Sequence, residues 1–376
     1  MAERGNIWQR RLDYYCGIPL ATLTALLRLR CQRSLPTAPQ RVGFLCLGAI
    51  GDLLLFSALI TALRQRLPQA RFFLLTSRAN AQAAQLLPGI DESAAFGVRQ
   101  LAAMSAWLRA RRLDILLDST QWARLGTVLC NLSGAGCTVG FATPGQYRSA
   151  GYTFTVAHSK DRHEVENFLA LGRVLFPHLT GLPQLTLPPS PEVAPQLLAE
   201  VRASGRPVYL HMWPAGLHAE LKEWPASSWA NLARELHRQG LRVYLTGSSG
   251  DAARTAAFLQ AFPHCGARSL AGKVSLRGLA GLFAEAAGVV SVNTGTMHLA
   301  ALVGAPTVGL HGPTNPRRWG PVGAHVRALL PRTGHCAYLN LGFEYVKPYV
   351  PCLAGLPVAD VLDALAELHV VSAHRA

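Results

Sequence analysis

From residue 41 onward the chain alternates short, unbroken apolar runs with longer stretches of helical periodicity. Residues 42–47 (VGFLCL), 71–76 and 113–118 (LDILLD) read as strands covered on both faces. Residues 53–67 read as an amphipathic helix ended by Pro68, and residues 79–87 as a second helix. Residues 182–195 then break the pattern with Pro183, Pro188, Pro189, Pro191 and Pro195, a composition that predicts a linker. After it the alternation restarts, with strands expected over 208–212, 241–246, 289–292 and 306–310. Helices are expected over 227–239, 251–262, 276–287, 297–303 and 358–368. Repeated strand–helix–strand units imply an α/β chain with parallel sheets covered by helices on both faces. Two such halves predict a ligand cleft between them, at the carboxyl ends of the strands. The expected division is an extension over 1–40, an N-terminal domain over 41–190 and a C-terminal domain over 191–376.

The extension has a character of its own. Arg4, Arg10 and Arg11 precede an uncharged run over residues 14–27 (YYCGIPLATLTALL), and Arg28, Arg30 and Arg33 follow it. As a helix this run is about 21 Å long. A bilayer span needs roughly 20 residues, and Pro19 interrupts the run further. No small-residue cleavage pattern follows it, as would follow a signal sequence. Two readings stay open: a helix lying in an anionic membrane interface, or a helix packed on the body of the protein.

Composition narrows the function classes. The 376 residues are half hydrophobic and 15% charged, which excludes a disordered chain and suits two domains. Lysine and arginine number 36 against 21 acidic residues, a net charge of +15. Only Lys160, Lys222, Lys273 and Lys347 are lysines, so the charge is mostly arginine, the side chain that holds phosphate with a planar fork. Such a field suits nucleic acid, an anionic membrane or a phosphorylated substrate. The basic residues are dispersed, with no aromatic RNA-binding strand or zinc finger, which argues against nucleic acid. No GxGxxG with an acidic residue about 20 positions on is present, which argues against a nicotinamide oxidoreductase. The eight cysteines are scattered without a CxxC, as in a reduced cytoplasmic protein. A metal site on Cys336 and Cys352 lacks further ligands at metal spacing.

Four segments carry candidate chemistry. In residues 47–55 (LGAIGDLLL), Gly48 and Gly51 permit a tight turn, and Asp52 falls at the start of the helix. Its carboxylate either bonds helix amides or serves as a general base. Lys222, in KEWP ahead of a helix, suits a diphosphate as a point charge, or is a solvated surface lysine. In residues 291–299 (SVNTGTMHL) a buried strand ends at Asn293 and a helix starts near Met297. The amides of that turn, with hydroxyls from Thr294 and Thr296, form an anion site. His298 donates to that anion or holds the loop. In residues 311–321 (HGPTNPRRWGP), Arg317 and Arg318 meet phosphates or pair with a carboxylate.

GAIGDLLL, KEWP and VNTGTMHLAALVGAPTVGLHGPTNPRRWGP occur in that order. Together they resemble glycosyltransferase family 9, the ADP-heptose:lipopolysaccharide heptosyltransferase family, over roughly residues 41–370. The resemblance implies a GT-B fold, two Rossmann-like domains facing across a cleft. It implies inverting, metal-independent transfer of a sugar, heptose above all, from a nucleotide-diphosphate donor to a lipid-linked or lipopolysaccharide core saccharide. The site implied is cytoplasmic, at the inner face of the inner membrane. No cofactor beyond the donor is implied. The family's base falls on Asp52, its diphosphate lysine on Lys222, and its donor-site turn on Asn293, Thr294, Gly295 and His298. The ribose-holding acid falls on Asp251. Two departures stand out. Asn293 replaces the family's usual aspartate, keeping an acceptor oxygen without the charge. The loop before Lys222 reads Gly216-Leu217-His218 instead of a hydroxyl pair, which leaves diphosphate contacts there to backbone amides or His218. The alternatives are a family member using another nucleotide sugar for a different cell-surface glycan, and an inactive scaffold of the same fold.

Overall fold

The computed structural model describes residues 7–27, 34–188, 190–203, 205, 207–216, 218–332, 336–342, 344–345 and 351–372. Arg4, Arg28, Arg30, Arg33, Leu217 and Lys347 lie outside the described residues. The chain divides into two compact units, Met1–Thr186 and Leu187–Ala376.

The first unit holds strands β1 (Arg41–Cys46), β2 (Arg71–Ser77), β3 (Glu92–Phe96), β4 (Ile115–Asp118), β5 (Cys137–Ala142) and β6 (Phe154–Ala157). Its helices are α1 (Ile7–Tyr15), α2 (Gly17–Leu27), α3 (Ile50–Arg66), α4 (Ala81–Ala84), α5 (Leu101–Ala110), α6 (Arg124–Leu132) and α7 (Glu164–Gly172). The second unit holds β7 (Pro207–His211), β8 (Arg242–Thr246), β9 (Ala267–Ser269), β10 (Gly288–Val292), β11 (Thr307–Leu310) and β12 (Val326–Leu329). Its helices are α8 (Pro195–Ala203), α9 (Ala226–Arg238), α10 (Ala252–Ala261), α11 (Leu276–Ala284), α12 (Gly295–Leu302), α13 (Pro316–Trp319) and α14 (Val358–Glu367).

Both sheets are parallel throughout. Their orders are β3-β2-β1-β4-β5-β6 and β12-β11-β10-β7-β8-β9. Numbered from the first strand of each unit, these are one topology, with the direction of winding reversing between β1 and β4 and between β7 and β10. Open α/β sheets bind ligands at the carboxyl ends of strands beside such a reversal. The apolar runs read from sequence are the central strands, as burial on both faces requires. Phe44, Phe56, Phe72 and Phe168 pack edge to face between sheet and helices in the first unit. Trp224 and Trp229 do so in the second.

The helix expected over 79–87 shortens to Ala81–Ala84. Asn80 is fully buried, and its Nδ2 donates to the Cys46 carbonyl at 3.1 Å, so this side chain serves a turn. The reading of uniformly reduced cysteines is corrected too. Cys336 and Cys352 form a disulfide, because the fold brings their Cα atoms to 5.9 Å across 16 positions of sequence.

The extension packs on the first unit. Asp13 Oδ1 accepts from the backbone N–H groups of Arg124 (2.9 Å) and Leu125 (3.3 Å), and Oδ2 accepts from Arg124 Nη1 at 3.1 Å. Asp13 therefore caps α6, whose own N-cap residue, Ala123, makes no side-chain cap bond. Asn131 on α6 donates through Nδ2 to the Ala21 carbonyl (3.1 Å) and Thr24 Oγ1 (3.0 Å) of α2. Asp13→Ala is expected to lower stability by about 1–3 kcal/mol, since it strands the cap amides and the Arg124 charge together. A melting temperature within about 1 °C of wild type would show that the extension is merely adjacent.

Candidate active site

In the first unit the chain leaves β1 through Leu47, Gly48 and Ala49 and enters α3. Asp52 lies in the first turn of that helix, and its Oδ2 accepts from the Ala49 backbone N–H at 2.6 Å. The capping geometry is therefore realised, and it fixes the carboxylate at the carboxyl end of β1. Gly48 is what permits this. A Cβ added there would lie 2.5 Å from Asp52 Oδ2. Gly48→Ala must displace the carboxylate; if that carboxylate is the general base, the expected result is a folded protein with turnover reduced at least about tenfold. Wild-type turnover in this variant would show that the carboxylate position is irrelevant.

Across the switch point, β4 ends in Asp118, fully buried. Its Oδ2 accepts from Arg148 Nη2 at 2.8 Å and from the Tyr152 hydroxyl at 2.6 Å, and its Oδ1 accepts from the Thr120 amide at 2.8 Å. Arg148 also donates to Thr120 Oγ1 at 2.6 Å and is itself buried. Burial and the neighbouring Asp118 charge raise the Tyr152 hydroxyl well above its usual range, against the opposing pull of Arg148, so it stays a donor. Gly126 leaves room for the cluster; a Cβ there would meet Thr120 Oγ1 at 2.2 Å and Asp118 Oδ2 at 2.3 Å. One loop on, Gln121 Nε2 donates to the buried Glu164 at 2.6 Å, and His158 Nε2 lies 3.2 Å from the same oxygen. These two clusters pin residues 119–121 at the carboxyl edge of the sheet. Neither was among the sequence candidates. The available signal was an acidic residue closing the apolar run 113–118.

In the second unit, the segment after β7 reaches Lys222 through a short helical turn, Ala219–Lys222, where Lys222 is half-buried. His218 stands in the left-handed region at φ 50°, with Nδ1 3.1 Å from Glu220 Oε1 and its ring 4.7 Å from that of Tyr345. After β10, on the other side of this switch point, Thr294 is the N-cap of α12, in extended backbone and without a side-chain cap bond. Gly295, Thr296 and His298 follow in the first turn, with Thr296 and His298 buried. A helix start of this kind leaves backbone N–H groups for an anion. Asn293 Nδ2 donates to the Trp319 carbonyl at 3.0 Å. An aspartate there would have no donor for that carbonyl and would lose this link.

Asp251, the ribose candidate, follows β8. Its Oδ2 accepts from the Ser248 amide (2.8 Å) and hydroxyl (2.7 Å), and its Oδ1 from Arg254 Nη2 (2.8 Å) and Nε (3.0 Å). Partial burial works against ionisation, but the Ser248 bonds and the Arg254 guanidinium outweigh it and hold this carboxyl below its usual range. Burial pushes His211 down to about 4, so the imidazole at the end of β7 is neutral at physiological pH.

Arg317 and Arg318 part company. Arg317 is exposed, whereas Arg318 is fully buried, with Nε donating to the Asn340 carbonyl at 2.9 Å. Arg318 therefore holds the loop. Among the described residues no group of three or more His, Cys, Asp or Glu side chains is placed to hold a metal ion.

Residues 101–339 match the sequence model of glycosyltransferase family 9 (heptosyltransferase). The chain belongs to this family. It is 36% identical over 114 residues to lipooligosaccharide heptosyltransferase 2 of Haemophilus influenzae, which is 29% of this chain and 32% of that protein. It is 33% identical over 147 residues to lipopolysaccharide heptosyltransferase 1 of Pseudomonas aeruginosa, 39% of this chain and 36% of that protein. The chain thus spans about a third of the length of these curated relatives. The solved structure of Escherichia coli ADP-heptose lipopolysaccharide heptosyltransferase II superposes with a TM-score of 0.69 at 22% identity, covering 87% of this chain and 98% of that one. The fold is thereby the expected α/β, GT-B type of family 9, with two Rossmann-like units.

Proposed function

We propose that this family 9 protein is an inverting glycosyltransferase that moves heptose from ADP-heptose onto a lipopolysaccharide core or lipid A saccharide. One observation carries the reading. The residues that carry the resemblance follow strands flanking the two switch points, Asp52 after β1, Lys222 after β7 and Asn293–His298 after β10. In the proposed reaction Asp52 takes the proton of the acceptor hydroxyl as that oxygen attacks the anomeric carbon. The diphosphate leaves with its charge met by Lys222 and by the first-turn amides of α12, aided by the Thr294 and Thr296 hydroxyls. In this reading Asp251 holds the donor ribose, from a position fixed by Ser248 and Arg254. His218 and Gly48 shape the loops on the two sides, whereas Gly51 lies within the first turn of α3 and does not form the turn expected of it, and Arg317 offers a surface contact to acceptor anions. The test is release of ADP from ADP-heptose that depends on added lipid A–core saccharide. No release in the presence of both substrates would overturn it. A second reading, another donor sugar, is favoured by Asn293 and its bond to Trp319. A panel of nucleotide sugars scored by the rise in melting temperature decides between them, since a ligand bound only by the native state stabilises it. An inactive scaffold predicts binding without turnover for every donor.

We further propose that the protein works on the cytoplasmic face of the inner membrane, held by its extension. No described helix is long and apolar enough to cross a membrane. While Ala21 and Thr24 of α2 face α6, Leu12, Tyr15, Leu23 and Leu26 are 61–71% exposed. Exposed leucines and a tyrosine beside arginine-rich sequence suit an anionic lipid interface. Leu23→Asp with Leu26→Asp is expected to weaken binding to anionic vesicles at least about tenfold without altering the packed face. Equal sedimentation of wild type and variant with those vesicles would remove the extension from this role.

A further inference from the structure

Several segments of the second unit that bear the candidate donor residues are joined through one short stretch near residue 340. The Ala337 N–H donates to the Gly312 carbonyl (2.9 Å) and the Leu339 N–H to the Pro313 carbonyl (2.7 Å), while Leu339 accepts from the Asn315 N–H (3.1 Å). The Asn340 carbonyl accepts from Arg318 Nε (2.9 Å) and Trp319 Nε1 (3.1 Å), and Asn340 Oδ1 accepts from Asn315 Nδ2 (2.7 Å). Trp319 in turn accepts from Asn293. A second foothold lies at the helical turn Cys352–Gly355, which packs against Ala219–Lys222. Just beyond it the Leu356 carbonyl accepts from Trp224 Nε1 at 3.0 Å.

The Cys336–Cys352 disulfide bolts these two footholds together beside Gly312, where an added Cβ would sit 3.3 Å from the Leu221 carbonyl and 3.8 Å from Cys352 Sγ. One covalent bond thus joins a turn packed against the Lys222 segment to the stretch that holds Trp319, the partner of Asn293. The other described cysteines are thiols, four of them buried and only Cys16 exposed. The protein thus pairs two of its cysteines at this point of the donor-side loops.

We propose that Cys336 and Cys352 form a reversible thiol–disulfide clasp whose oxidised state keeps these loops in their binding arrangement, so that its redox state sets donor affinity. The proposal rests on the second unit being the nucleotide-sugar domain. A dithiol reductant opens the clasp. Its thiolate attacks one sulfur to give a mixed disulfide, and its second thiol displaces the protein. Two electrons and two protons are transferred, leaving two cysteine thiols and the oxidised reductant; a disulfide oxidant such as glutathione disulfide runs the exchange in reverse. Opening removes the covalent link across 16 positions of sequence, so the described residues beside each cysteine are held by hydrogen bonds and packing alone, and their arrangement competes with others. Apparent affinity falls in proportion to the fraction of molecules still ordered.

The experiment uses the full chain carrying Cys16→Ser, to prevent cross-linking through the exposed thiol. Samples equilibrated with glutathione disulfide or with dithiothreitol are compared by alkylation mass spectrometry, amide hydrogen exchange and ADP titration. Oxidised protein is expected to leave Cys336 and Cys352 unalkylated. Reduction is expected to speed exchange at Ala337, Leu339 and Asn315 and to weaken ADP binding by about 3–10-fold. The Cys336→Ser/Cys352→Ser variant should match the reduced protein in both conditions. Full alkylation of both cysteines after oxidation, or equal exchange in the two states, overturns the clasp. Faster exchange with unchanged ADP affinity overturns its control of binding. If ADP binds in neither state, the donor-domain reading falls, and the exchange comparison still decides whether the clasp exists.

Discussion

Asp52→Asn is expected to keep the fold and the nucleotide affinity while cutting turnover by about 10²–10⁴-fold. The expectation depends on separating two roles of one carboxylate. Asp52 accepts from the Ala49 N–H, so it is a capping group whether or not it is also a base. Asparagine retains an oxygen that can accept this bond, so the cap survives and the basicity is lost. Alanine removes both, and should add a stability loss of about 0.5–2 kcal/mol to the same loss of turnover. If the carboxylate only caps α3, the order reverses. Asparagine then behaves as wild type in turnover, and alanine loses stability with little effect on the reaction. Single-turnover rates for both variants, measured beside their melting temperatures, separate these cases. Asparagine turnover within a few-fold of wild type would remove Asp52 from catalysis.

Arg148→Leu should be among the most destabilising single substitutions in the first unit. Arg148 and Asp118 are both fully buried, 2.8 Å apart, with Tyr152 and Thr120 completing the cluster. Removing the cation leaves Asp118 buried without its counter-charge, a change worth about 3–5 kcal/mol. Domains are stable by only about 5–15 kcal/mol, so much of the protein is expected to be insoluble. The cost belongs to the stranded charge and is not a measure of the pair's net contribution. Asp118→Leu combined with Arg148→Leu should therefore recover part of the loss, because a buried pair replaced by apolar groups is often neutral. Chemical denaturation of the single and double variants checks this. A double variant no more stable than Arg148→Leu alone would show that the loss does not come from the stranded Asp118 charge.

The sequence by itself determined the alternation of elements, because strands buried on both faces must be continuously apolar. Residues 42–47, 113–118 and 289–292 could be read directly for that reason, and all lie at the centre of a sheet. It also determined the motif positions, since Asp52, Lys222 and Asn293–His298 sit at turns that follow such runs. Edge strands were not legible. β3, β6, β9 and β12 show alternating or partial exposure, so no apolar run marks them. β5 is buried, but Thr138 and Gly140 interrupt its pattern, the latter because Tyr152 fills the space of a side chain there. Only the tertiary structure decided which side chains share a site. Asp118 meets Arg148 across 30 positions and Asp13 caps a helix across 111. Cys336 meets Cys352, and Arg318 turns inward to Asn340 while its neighbour Arg317 stays in solvent. Each of these follows from burial. A polar group removed from water must find its partner wherever the fold brings one, and sequence distance does not enter that choice.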